Sequence, residues 1–208
     1  FISYSNSAIW RCLGYSLIMA ITINGTGTIT GISAGGLPDG IITEADMATG
    51  VNVITQADQW IMTADDNGHD DLYITSNLAR PSYAQGSYGL IGSGMSQSSG
   101  IFTFPSTGIW HIHFQAQYHD NGNNSAVNAQ IHATADNSTY EVIAQGRTNN
   151  YSSGNDWQNT TFTSTLWDVT DTTNQKVKFR VAASTNVDWQ GHSERMETGM
   201  IFTRLGAT

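Results

Sequence analysis

His111 and His113, one residue apart, are the side chains of this chain best spaced for metal chemistry. On an extended strand both point to one side, opposite Trp110, Ile112 and Phe114. Imidazole suits zinc, copper, iron and nickel, and three copies of the pair around a threefold axis would supply six ligands. The simpler reading is a polar strand face with two solvated or hydrogen-bonded rings, so no metal and no cofactor is expected. Asp65, Asp66, Asn67, Asp70 and Asp71 gather oxygen ligands around Gly68, but their order departs from the calcium-loop pattern. An acidic turn accounts for them. Residues 31–35, Gly-Ile-Ser-Ala-Gly, match the written form of a hydrolase nucleophile elbow. That elbow needs a helix directly after the serine, and Gly36-Leu37-Pro38-Asp39-Gly40 stands there instead. Glu141, Asp188, Glu194 and Glu197 are carboxylates that a glycosidase would pair, yet such pairs are defined by separation in space; turns and strand ends explain them more simply. No catalytic residue is expected. Tyr118, Tyr151, Trp157, Trp167 and Trp189 stand near Asn- and Ser-rich turns. Of these, Trp167 reads equally as core, and Tyr151 and Trp157, in the loop 149–159, are the candidates for stacking on a sugar ring.

The element that must position these groups is the stretch 100–114, Gly-Ile-Phe-Thr-Phe-Pro-Ser-Thr-Gly-Ile-Trp-His-Ile-His-Phe. Phe102 and Phe104 alternate with Thr103, Pro105 interrupts the run, Gly108 permits a turn, and the alternation resumes with Trp110, Ile112 and Phe114. The pattern predicts a hairpin with one apolar face, each large side chain contributing about 1.5–3 kcal/mol on burial. Further strands are expected at 60–62, 72–74, 127–133, 140–144, 162–169, 176–182 and 198–205. Polar turns are expected at 64–71, 120–124 and 136–138. Short strands separated by polar turns point to an all-β sandwich or barrel.

Charged residues make up only 12% of the 208-residue chain. Asn, Ser, Thr and Gly fill the polar positions instead, which favours strands and turns over long helices. The net charge is −9, from 8 basic and 17 acidic residues. A nucleic-acid binder needs a clustered basic surface to displace counterions from phosphates, and an anionic membrane repels such a balance; neither partner is expected. Cys12 is the single cysteine, so an intrachain disulfide is excluded. Residues 1–19 differ in composition from the rest of the chain. They read as a secretion signal around Arg11 and the apolar run 13–19, or as sequence lying upstream of a start at Met19-Ala20; the second reading is preferred. Residues 20–58 are expected to form an anchoring and oligomerisation arm. Its alternating Ile and Thr around Asn24-Gly25 would make a two-stranded unit too small to stand alone. Residues 59–208 form the expected head domain.

Gly100, Phe102, Pro105, Gly108, Trp110, Ile112 and Phe114 resemble the signature of the complement and tumour-necrosis-factor-like jelly roll, and Thr198-Gly199-Met200-Ile201-Phe202 resembles its closing strand. More widely, Trp60, Ser76-Asn77-Leu78-Ala79-Arg80, Ile91-Gly92-Ser93-Gly94-Met95 and Leu166-Trp167-Asp168-Val169-Thr170 resemble virion proteins of bacteriophages, particularly cyanophages and other marine phages. The resemblance spans about residues 20 to 208. It implies a jelly-roll β-sandwich that assembles as a homotrimer on the virion surface. Residues 20–58 would then attach it to other virion proteins, in the tail, the baseplate or the capsid. The role implied first is a tail-fibre or receptor-binding head contacting host-surface glycan, and after it a capsid decoration protein. A free lectin-like domain is a further alternative, and a glycan hydrolase is the least expected.

Overall fold

The computed structural model describes residues 54–83, 86–120, 124–150 and 157–208. The leader, nearly all of the expected arm, the serine motif at 31–35, Cys12 and Tyr151 lie outside these residues. Among the described residues the chain is all-β. In chain order the strands are β1 Ala57–Met62, β2 Asp66–Tyr73, β3 Leu78–Ala79, β4 Ser82–Tyr83, β5 Gly86–Ser87, β6 Ser96–Ser98, β7 Ile101–Thr103, β8 Gly108–Asp120, β9 Asn124–Thr134, β10 Glu141–Asn150, β11 Trp157–Val169, β12 Lys176–Trp189 and β13 Gly199–Gly206. The boundary expected at Gln59 falls inside β1, whose ladder to β13 begins at Ala57 opposite Thr203.

One layer runs β3-β1-β13-β8-β11 and the other β10-β9-β12, with β2 and β7 pairing along β12 and β6 on β7. The end of β12 crosses to β8 at Asp188↔His119 and Trp189↔Tyr118, so the sheet curls from one layer into the other. Aromatic rings close the space between. Phe102 of β7 lies with its ring centroid 5.6 Å from Trp60, 5.5 Å from Phe179 and 5.2 Å from Phe202, and Phe114 meets Phe179 at 5.0 Å. The apolar alternation of 108–120 is obeyed along all of β8, with Trp110, Ile112, Phe114, Ala116 and Tyr118 buried and the residues between them half-buried on the other side.

The predicted hairpin does not form. β7 pairs with β6 and β12, whereas β8 pairs with β11, β13 and the end of β12. Proline lacks an N–H to continue a ladder, and the chain at Pro105 passes from one layer to the other. Phe104 therefore packs on Trp110 at 5.3 Å, and the indole Nε1 donates to the Ser106 carbonyl at 3.1 Å. The aromatic set is the expected one, but it faces itself across the core. The two glycines flanking the crossing have steric reasons. Gly100 has φ +77°, and a Cβ there would stand 2.1 Å from the Ile74 carbonyl oxygen; Gly108 has φ +140°, with Gly206 O 2.4 Å from such a Cβ.

The acidic turn predicted at 64–71 is mostly strand. β2 pairs with β12, from Asp66↔Trp189 to Tyr73↔Arg180. Its outward positions are polar because water covers them, and polar partners compensate the poor strand propensity of aspartate. Asp71 pairs with Arg180, Asp66 with His69, and Asp65 accepts from the Gly191 N–H at 2.8 Å. β10, β11 and β12 also run beyond their predicted ends. β11 pairs with β8 residue for residue from Val169↔Gly108 to Trp157↔Asp120, a ladder that carries the Asn- and Thr-rich residues 157–161 into the sheet.

Candidate functional site

The outward side of the β1-β13-β8-β11 layer carries the histidine pair. Register places Leu166, His111 and Thr203 in one row, Ser164, His113 and Ile201 in the next, and Phe162, Gln115 and Gly199 in a third. Residues directly opposite on neighbouring strands share a face. On that face Phe162 is 66% and Leu166 60% exposed, with Leu205 further along β13 at 46%. An antiparallel sheet facing water normally presents polar side chains there, so this apolar row is the anomaly of the surface. Burial, together with the neighbouring His111, pushes the His113 imidazole below its ordinary pKa, and a hydrogen bond with Gln115 opposes the shift. His113 also lies 6.4 Å, ring to ring, from Phe162. Within one chain this is a half-buried pair of imidazoles beside apolar neighbours. No cluster of three or more metal-ligating side chains occurs among the described residues.

A second constellation converges on Asp58, 2% exposed in β1. Its carboxylate accepts from Trp60 Nε1 at 2.9 Å, Arg80 Nε at 3.0 Å, an Arg80 terminal nitrogen at 2.8 Å, Tyr88 Oη at 3.3 Å and the Met95 N–H at 2.7 Å. Arg80 in turn donates to the Met95 carbonyl at 2.8 Å and lies 4.6 Å above the Trp60 ring. Hydrogen bonding to Asp58 raises the Arg80 pKa, against the opposing effect of burial. Every polar group here is spent on another part of the same chain, so the cluster is a clasp between β1 and the loops around residues 80 and 95.

No family model matches the sequence, and no curated protein matches it. Solved structures do. Murine APRIL at pH 5.0 superposes with a TM-score of 0.52 at 11% identity, covering 72% of this chain and 98% of its own. The Eiger TNF from S. frugiperda superposes with a TM-score of 0.50 at 15% identity, covering 76% of this chain and 90% of its own. The fold is a tumour-necrosis-factor-like jelly roll. Within this jelly roll the signature residues Gly100, Phe102, Gly108, Trp110, Ile112, Phe114 and Gly199 are all buried, and Pro105 makes the crossing between layers.

Each of the carboxylates considered for glycosidase chemistry has its own local setting. Glu197 pairs with Arg195 at 2.5 Å, Asp188 lies 3.7 Å from His119, the Glu194 N–H bonds to His192, and Glu141 opens β10. Trp157 begins β11 and is 45% exposed; Tyr151, named with it as a candidate, is outside the described residues. Sequence reading missed the Asp58 clasp and the apolar row. Alternation in 162–166 placed Phe162 and Leu166 together on one face of a strand, which was the available signal. Asp58 carried none beyond its place two residues before Trp60.

Proposed function

We propose that this chain is a non-enzymatic structural protein of a bacteriophage particle, a jelly-roll head that assembles as a homotrimer, is anchored through residues 20–58 and binds a host-surface glycan at the tail. The observation that carries the reading is the row Phe162, Leu166 and Leu205 on the outward side of the β13-β8-β11 surface. A monomer in water gains nothing by exposing it, and a second copy would bury it. The jelly-roll resemblance implies three copies rather than two, and the phage-like segments at 76–80, 91–95 and 166–170 support a place on the virion.

Two experiments test this. Sedimentation should give three times the 22.5 kDa chain mass, and Phe162→Asp with Leu166→Asp should yield a folded monomer with unchanged circular dichroism. A parent protein that sediments as a monomer at micromolar concentration would remove the assembly. Cryo-EM of the purified particle locates the chain: density on the tail or baseplate supports receptor binding, trimers on the capsid lattice replace it with decoration, and density nowhere ends the virion reading.

A further inference from the structure

The apolar row on the outward side of β13-β8-β11 has two imidazoles set into it. His111 lies between Leu166 and Thr203, and His113 between Ser164 and Ile201, with Phe162 in the next row. β1 extends the same rows with Ala57 opposite Thr203, Gln59 opposite Ile201 and Ile61 opposite Gly199. No position in these rows is a carboxylate, a lysine or an arginine. The whole chain carries a net charge of −9, so its copies repel one another. These rows let two copies meet without opposing like charges, and interface centres are depleted in charge for that reason. A second copy of this chain is therefore the occupant that the face fits.

Assembly there encloses the imidazoles. Both are half-buried before any partner arrives, and burial, then His111, already hold His113 below its ordinary pKa. Further burial disfavours the charged form again, and the rows contain no acid to compensate it. Charged groups begin outside them. Asp168 is exposed one row beyond His111, opposite Ile109. Arg195 and Glu197 pair with each other beside Gln115, whose amide donates to the Met196 and Glu197 carbonyls. Arg204 of β13 turns its guanidinium to the Thr107 carbonyl, and His119 faces Asp188 toward the far end of β8. Assembled copies thus bind fewer protons than separated ones, so by linkage association weakens as the pH falls. The direction is diagnostic. Acid also charges histidines elsewhere and reduces the net negative charge, which by itself would strengthen association. Only groups that the interface keeps neutral act the other way.

We infer that the homotrimer opens reversibly in mild acid, because the His111–His113 pair lies inside the face through which the copies meet and takes up protons when they part. This names the regulation of the assembly proposed above and rests on it. The test is sedimentation of the full chain at about pH 7.5 and 5.5, on either side of the ordinary histidine range. The parent should be a trimer at the higher pH and a monomer at the lower, its association constant falling at least about a hundredfold. Circular dichroism should be unchanged, and the trimer should return when neutral pH is restored. His111→Gln with His113→Gln should remain trimeric at both pH values. His113→Lys, charged throughout, should be a folded monomer at both. A parent that stays trimeric in acid overturns the inference and leaves the trimer standing; one that is monomeric at both pH values removes the two together. The inference also fails if the double glutamine variant dissociates in acid as the parent does, if His113→Lys still forms trimers, or if EDTA alone dissolves the neutral trimer, since a metal would then be what holds the face.

Discussion

Asp58→Ala is expected to cost about 3–5 kcal/mol, the range for removing one partner from a buried ion pair. The loss is large because the carboxylate is the common acceptor for Trp60, Arg80, Tyr88 and the Met95 backbone. Without it the Trp60 N–H and the Met95 N–H are buried donors with nothing to meet, and Arg80 is a half-buried cation above an indole. A domain of this kind has roughly 5–15 kcal/mol in all, so urea denaturation should show a midpoint near the edge of stability and heating a fall of roughly 10 °C. Arg80→Met should cost less, because two of the remaining donors, Trp60 Nε1 and the Met95 N–H, still solvate the carboxylate. The double variant should be less damaged than the sum of the two, with a coupling of about 1–3 kcal/mol. An Asp58→Ala protein within about 0.5 kcal/mol of the parent would mean the clasp is ornamental. The same reasoning applies to truncation: a chain starting at 54 retains β1, whereas one starting at 59 loses Ala57, Asp58 and the first rungs of the β1–β13 ladder.

Those residues show what a sequence makes legible. Strict alternation with large apolar side chains identified the buried face of β8, because period two on a half-buried strand admits one arrangement. It also sent His111 and His113 to the other face, where they are found. Alternation does not say which strand lies alongside, so the aromatics of 102–114 were assigned to one hairpin although Pro105 marks a crossing between layers. Polar strands are harder still. β2 reads as a turn because its aspartates and Gly68 are poor strand formers, and only β12, a partner distant in the chain, makes it a strand.

Candidate sites obey the same rule. Phe162 and Leu166 are four residues apart on one strand, so their shared face was implicit in the sequence. Asp58, Arg80 and Met95 come from separate parts of the chain and meet only through the fold. Arg80 and Met95, apart in the sequence, both close on Asp58, and Trp60 stacks beneath the arginine. A motif scattered between Trp60 and Met95 thus becomes a single contact.

Acid is expected to unfold this protein through His132 before its carboxylates are reached. His132 is 6% exposed on β9. Its Nε2 is 3.1 Å from Gln130 Oε1, an oxygen that also accepts from Arg180, and Gln130 spends its amide nitrogen on Gln145. That arrangement fixes the neutral Nε2–H tautomer and leaves Nδ1 to accept from the Tyr73 hydroxyl at 3.4 Å. Burial, and then Arg180 and Lys178, push the imidazole from its ordinary 6.5 down to about 4, with Asp71 opposing weakly. Lys178 is itself held between the Tyr73 and Tyr140 rings, at 4.0 and 4.2 Å. The unfolded chain takes up the proton near pH 6.5 and the folded chain only near pH 4. The contribution is therefore whole above pH 6.5, drains as the pH falls, and is gone below about 4; the gap corresponds to about 3 kcal/mol. His113, also depressed by burial, adds in the same direction, while Asp136 and Asp171, held below the usual carboxylate range by turn hydrogen bonds, act only at lower pH. Urea midpoints of the parent and of His132→Gln, measured at about pH 7.5, 6, 5 and 4.5, should converge as the pH falls, because glutamine has no proton to bind. Parallel curves across that window would show that His132 protonates equally well folded and unfolded, and the burial argument would be wrong.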